Sequence, residues 1–223
     1  MNLEEKAATQ EVLISAGGVE LQGLLRAPDA PTGIVLFAHG SGSSRFSPRN
    51  THVAEVLRSA GITTLLFDLL TAAEERIDAA TAELRFDIPL LTERLMAATR
   101  WTLEQPELCE LPIGYFGSST GAAAALAAAA QVPEVAAVVS RGGRPDLAGP
   151  ALAQVSAATL LIVGGNDHQV LALNRDVLKR LPGEARLEVV PGATHLFAEP
   201  GTLEEVARLA AAWFAGHLKG RRR

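Results

Sequence analysis

Ser119 stands at the centre of Gly117-Ser118-Ser119-Thr120-Gly121, a G-x-S-x-G stretch with a short apolar run before it and a run of alanines after it. A serine on a sharp turn between a strand and a helix is held out with its Oγ exposed. The helix start behind it offers free backbone N–H groups and the positive end of a dipole to a developing oxyanion. The chemistry open to such a residue is attack on a carbonyl. A serine hydroxyl is a weak nucleophile near neutral pH, so it needs a base within reach, and the base needs an orienting acid.

The chain has five histidines. His52 and His217 fall inside predicted helices, and His168 immediately follows Asp167. His39 precedes Gly40 on the loop after the third predicted strand, where a histidine that bonds loop backbone is the simpler reading than one that meets substrate. His195, in Pro191-Gly192-Ala193-Thr194-His195, follows the last strand and is the expected base. Asp167, in Gly164-Gly165-Asn166-Asp167, follows a very apolar run and is the expected acid. The order Ser119, Asp167, His195 is the Ser…acid…His order of one hydrolase fold. The 28 positions from Asp167 to His195 accommodate one helix and one strand, so their loops emerge side by side. Asp146 is the rival acid, but after Pro145 it reads better as a helix N-cap. Asp68, also at a strand end, precedes the serine and reads as a loop anchor. Ser118 lies before the elbow apex and reads as packing or a local hydrogen bond.

An oxyanion needs donors. The backbone N–H of Thr120, directly after the nucleophile, is one; the N–H of Ser41, in His39-Gly40-Ser41-Gly42, is the other. Arg45, Arg49, Arg141 and Arg144 flank the predicted site loops. They could receive an anionic substrate group, with His39, Arg45 and Arg141 as the substrate-binding candidates. Salt bridges to Glu74, Glu75 or other carboxylates are the competing use.

The elements that must position these residues alternate. Strands are predicted at 11–16, 20–27, 33–38, 62–67, 112–116, 135–139, 159–163 and 186–190. Gly17-Gly18 marks a hairpin between the first two. Helices are predicted at 48–60, about 86–105, 119–131, 146–154, 170–181 and 202–218, with a polar loop through Glu74 and Glu75. Strand and helix in turn predict a mostly parallel eight-stranded sheet, covered on both faces, with an antiparallel pair at one edge. Functional groups in such a sheet gather at the carboxyl ends of the strands. Only 141–145 separates the strand after the elbow helix from the next helix. No cap domain is therefore expected, and the site should be shallow or covered only by loops.

The 223 residues are read as one α/β domain with flexible ends at 1–10 and 219–223. Hydrophobic content of 48% with 20% charged residues predicts a packed core. A net charge of −5 and a pI near 5.6 argue against nucleic acid as a partner. The one cysteine, Cys109, excludes an internal disulfide and a cysteine zinc site, and fits a cytoplasmic location. The charged start lacks an apolar signal core, and the apolar stretch 122–130 is too short to span a membrane. No metal-ligand spacing and no dinucleotide loop is present, so no cofactor is expected.

Together these motifs resemble the α/β-hydrolases, and more narrowly a small dienelactone-hydrolase-like protein with no lid domain. The resemblance rests on His39-Gly40-Ser41-Gly42, Gly117-Ser118-Ser119-Thr120-Gly121, 165–170 and Gly192-Ala193-Thr194-His195, and runs from about Ile14 to Leu218. It implies Ser119 as nucleophile, Asp167 as acid and His195 as base. The chain is also similar to hydrolase domains that occur alone or fused to phosphoribosyltransferases; these 223 residues contain no such partner segment. Dienelactone hydrolases carry cysteine at the elbow where this chain has serine. Cys109, before the elbow strand, cannot substitute, so dienelactone itself is not the expected substrate. The expected activity is hydrolysis of a small carboxylic ester through an acyl-enzyme. A thioesterase or small peptidase with the same triad, or a non-catalytic hydrolase-fold binding protein, are the competing readings.

Overall fold

In the computed structural model, which describes residues 9–218, the first reversal is made by Gly17 and Gly18. Both take positive φ, 62° and 90°, a conformation that glycine adopts without a Cβ penalty. They turn β1 (Gln10–Ala16) back onto β2 (Val19–Arg26), with Ala16 facing Val19 across the turn. β3 (Gly33–Ala38), β4 (Ile62–Phe67) and β5 (Ile113–Ser118) are buried at every position, as apolar strands covered on both faces must be. β6 (Val135–Arg141), β7 (Ala158–Gly164) and β8 (Ala185–Val190) complete the sheet. Its order is β1-β2-β4-β3-β5-β6-β7-β8. Strands β3 to β8 run parallel, and the antiparallel strands β1 and β2 form one edge, as the alternation predicts.

Helices cover both faces, and no cap domain interrupts them. α1 (Pro48–Ser59) and α6 (Thr202–His217) pack against each other on one face. α3 (Ile88–Glu104) and α4 (Thr120–Ala129) pack together on the other, with α5 (His168–Leu178) beyond them. Every residue of α4 is buried. A helix enclosed by the sheet, α3 and the 145–154 segment has room for little beyond Cβ atoms, which explains its alanines. No described helix is long and apolar enough to cross a membrane.

Several expectations are corrected. The polar loop through Glu74 and Glu75 is a helix, α2 (Ala72–Thr81). Thr71 and Glu74 form a reciprocal capping box: Glu74 N–H donates to Thr71 Oγ1 at 3.2 Å, and Thr71 N–H to Glu74 Oε2 at 2.7 Å. Only Asp78 of that helix is buried, so it has no apolar stripe to reveal it. A 3₁₀ turn (Leu84–Phe86) precedes α3, which starts at Ile88 behind an Asp87 cap. The 145–154 segment is 3₁₀ rather than α, broken at Gly149 (φ 56°) ahead of Pro150. Asp146 is not its N-cap: Arg144 holds that position, and Asp146 lies in the first turn, accepting from the Arg144 guanidinium at 2.9 and 2.8 Å. Of the ends expected to be flexible, Gln10 already pairs with Leu25; 1–8 and 219–223 lie outside the described residues.

Candidate active site

The β5–α4 junction is tight because two glycines remove side chains from it. A Cβ on Gly121 would lie 2.2 Å from Ala38 O, and one on Gly117 2.5 Å from Ala122 Cα. These are backbone atoms that cannot give way, so any larger residue would push the helix off the strand ends. Ser119, between them, takes φ 50° and ψ −120°. That conformation costs a non-glycine residue roughly 1–3 kcal/mol. The junction holds it from three sides: Ser119 N–H donates to Arg141 O at 3.3 Å, and Ser119 O accepts from Ala122 N–H at 3.1 Å and Arg144 N–H at 3.0 Å. The residue is half-buried. Ser118, by contrast, is buried and donates to Asn50 Oδ1 at 3.0 Å.

The loops after β7 and β8 are laced together. Gly165 N–H donates to Val190 O and Asn166 N–H to Ala193 O, at 2.8 and 2.9 Å, and Asn166 Nδ2 donates to Gly192 O. Gly164 permits the approach, because a Cβ there would meet Ala193 O at 2.4 Å. The lacing brings Asp167 Oδ2 to 2.7 Å from His195 Nδ1. A carboxylate only accepts, so Nδ1 carries a proton, and in the neutral ring Nε2 is the acceptor. Thr194 is pinned from behind by Glu199, which accepts from its N–H at 3.1 Å and its hydroxyl at 2.6 Å. Glu199 and Gly164 are absent from the sequence-derived site; the Gly164-Gly165 pair was the available signal for the second.

Ser119 and His195 meet the same short loop. Arg141 O bonds Ser119 N–H, and a Cβ on the next residue, Gly142, would lie 3.0 Å from His195 O. The structure brings the three predicted residues to one sheet end but forms only the Asp167–His195 hydrogen bond; none joins Ser119 Oγ to His195. Thr120 is the first residue of α4, so its N–H has no carbonyl four residues back to bond. Ser41 Oγ lies 3.1 Å from Thr120 Oγ1, so the side chains of the two residues expected to carry the oxyanion donors touch.

His39 has both ring nitrogens engaged with main chain: Nε2 accepts from Leu69 N–H and Nδ1 donates to Gly40 O, each at 3.0 Å. Burial holds it below the usual histidine pKa, against the opposing pull of the Gly40 bond and Asp68. It fixes the loop that carries Ser41. Behind that loop lies a cavity of about 10 Å³, room for roughly one water, lined in part by Leu69, Leu70, Leu91, Glu75 and Thr120. Glu75 belongs to α2, so this flank is closed by a helix, not by loops alone.

The four arginines separate into two kinds. Arg45 forms an ion pair with Asp68, whose Oδ1 also accepts the Arg45 N–H at 2.7 Å. Arg144 pairs with Asp146. Arg141 is 7% exposed, and its Nε and Nη1 are buried with no hydrogen-bond partner; Arg49 Nε is in the same state.

Comparison with known proteins places this geometry. The family model described as "Dienelactone hydrolase family" matches residues 21–215. A solved dienelactone hydrolase from Anabaena variabilis is 57% identical, covering 96% of this chain and all of that one, with a TM-score of 0.94. The esterase domain of a Rhodothermus marinus protein shares the fold at 21% identity, covering 95% of this chain and all of that one, with a TM-score of 0.73. Among curated proteins, a Mycobacterium tuberculosis protein provisionally named a phosphoribosyl transferase is 59% identical over 212 residues, which are 95% of this chain and 47% of that one. The chain thus spans about half the length of the curated relatives it matches. It has the α/β-hydrolase fold and belongs to the dienelactone hydrolase family.

Proposed function

We propose that this family member hydrolyses carboxylic esters through an acyl-enzyme on Ser119. The observation that carries the reading is the 2.7 Å bond from His195 to Asp167, at the sheet end where Ser119 is held in a strained turn. Asp167 fixes the tautomer with the proton on Nδ1, so Nε2 can take the Ser119 proton as Oγ attacks the ester carbonyl. The N–H groups of Thr120 and Ser41 receive the charge that develops on the carbonyl oxygen. His195 returns the proton to the departing alcohol. Water, deprotonated by the same imidazole, then releases the acid and restores Ser119. The transferase name of the curated relatives refers to chains about twice as long and carries no step here.

Turnover of a short-chain acyl ester tests this. Ser119→Ala and His195→Ala should remove activity, and Asp167→Asn should lower kcat about 10⁴-fold by favouring the wrong tautomer. Unchanged turnover in folded Ser119→Ala would refute the reading. A matched thioester and anilide show which acyl bonds the same residues accept.

A further inference from the structure

An arginine buried among protein atoms normally has a carboxylate or carbonyls for its five N–H donors, because an uncompensated buried charge is costly. Arg141 has neither. Among the described residues no acidic group pairs with it and no carbonyl accepts from it, and two of its nitrogens are cut off from water. The charged group that bears on it is a second cation, Arg49; burial first, and Arg49's charge second, push its pKa down to about 10. It remains a cation at neutral pH. Arg49 is on the first turn of α1, also without a partner, and His52, one turn along the same helix, has a buried Nε2 that bonds nothing. This corner therefore concentrates guanidinium donors and positive charge with no carboxylate or carbonyl accepting from them, whereas Arg45 and Arg144, also near the site loops, have carboxylates of their own.

Its position is next to the reacting groups. Arg141 is the last residue of β6 and holds Ser119 N–H with its carbonyl. Its guanidinium carbon lies 6.0 Å from the ring centre of Phe197, two residues after His195. Phe197 itself takes a positive φ of 54°, so the base loop is bent where it meets the guanidinium. We propose that Arg141 and Arg49 form a binding subsite for an oxyanion group, a carboxylate or a phosphate, between the N-terminus of α1 and the loop that carries His195. A planar guanidinium binds such a group with paired, charge-assisted hydrogen bonds. The anion supplies the acceptors that the fold leaves out. It is either an acid group on the substrate itself or a free anion.

The test is thermal unfolding of wild type and Arg141→Met, in low-salt buffer with inorganic phosphate or with chloride at matched ionic strength. Phosphate at about a hundred times its Kd should raise the wild-type Tm by roughly 5–10 °C, and should not raise that of Arg141→Met. Without phosphate, Arg141→Met should melt above wild type, since it removes an unpaired buried charge; a guanidinium serving only as structure would give the opposite sign. Arg49→Gln, at a half-buried position, gives the same phosphate readout should Arg141→Met fail to fold. A kinetic arm, which rests on the proposed ester hydrolysis, compares a half-ester bearing a free carboxylate with its neutral diester. At least a tenfold kcat/KM preference for the half-ester, lost in Arg141→Met, assigns the subsite to substrate; phosphate stabilisation with no such preference assigns it to a free anion. The proposal is overturned if wild type shows neither effect, or if both survive in Arg141→Met and Arg49→Gln. Hydrolysis of neither ester would refute the ester reading, while the melting arm would still decide the subsite.

Discussion

On the β4 side of the elbow, Arg45 has Asp68 and Gln22, Arg85 has Asp78, and Arg94 has Glu74. Arg141, at the end of β6, and Arg49, on the first turn of α1, have no carboxylate and no carbonyl. Both groups lie near the same serine, yet Arg45, Arg85 and Arg94, like Arg144 just after β6, have carboxylates of their own, and Arg141 and Arg49 have none. The paired flank is scaffold: its ion pairs hold the 43–47 loop and α2 against the strand ends, and so fix Ser41. The unpaired guanidiniums are the anion subsite proposed above. Charge near an active site is thus informative only once its partners are known.

Asp78→Asn should break the paired flank most severely. Asp78 is fully buried and accepts from Arg85 N–H at 2.9 Å and Arg85 Nε at 2.7 Å. Burial alone would raise its pKa, but the Arg85 hydrogen bonds and charge outweigh that and lower it. Losing one partner of a buried pair costs about 3 kcal/mol or more, measurable by denaturant unfolding. Arg141→Met, on the other flank, should shift stability in the opposite direction, and a matching loss at both sites would erase the distinction.

His39 gives a smaller, pH-dependent effect. Its folded pKa is depressed, so its contribution is present above the unfolded histidine pKa and is lost as pH falls through the folded value. Wild type should lose up to about 1.4 kcal/mol per pH unit on acidification from neutrality; His39→Gln should flatten that slope. Thr71→Ala should have the smallest effect, about 1 kcal/mol for a lost N-cap. It should loosen α2 and leave the β6 flank unchanged, which hydrogen exchange of the two segments would show.

The contrast between the flanks also marks what the sequence could reveal. Buried strands such as β3 and β7 are continuous apolar runs, so they and the sheet end holding Ser119, Asp167 and His195 were legible. The α2 helix was not, because it is stabilised by a capping box and the Asp78–Arg85 pair rather than by an apolar face; the Thr71…Glu74 spacing was its one signal. Arginine partnerships were not legible either. Arg45 and Asp68 lie 23 positions apart, Arg94 and Glu74 lie 20 apart, and only the packing of the loops and helices selects them. The close approach at Gly164 depends on the β8 loop crossing over it, which no local pattern encodes.

Reaction of the native chain with a fluorophosphonate, followed by intact-mass analysis and peptide mapping, tests the central claim most directly. A phosphonate traps a serine only where a base removes its proton and an oxyanion hole receives the charge. One adduct per chain on Ser119, absent in Ser119→Ala, is the predicted result. A folded wild-type sample that stays unmodified, or one modified at a residue other than Ser119, would contradict it.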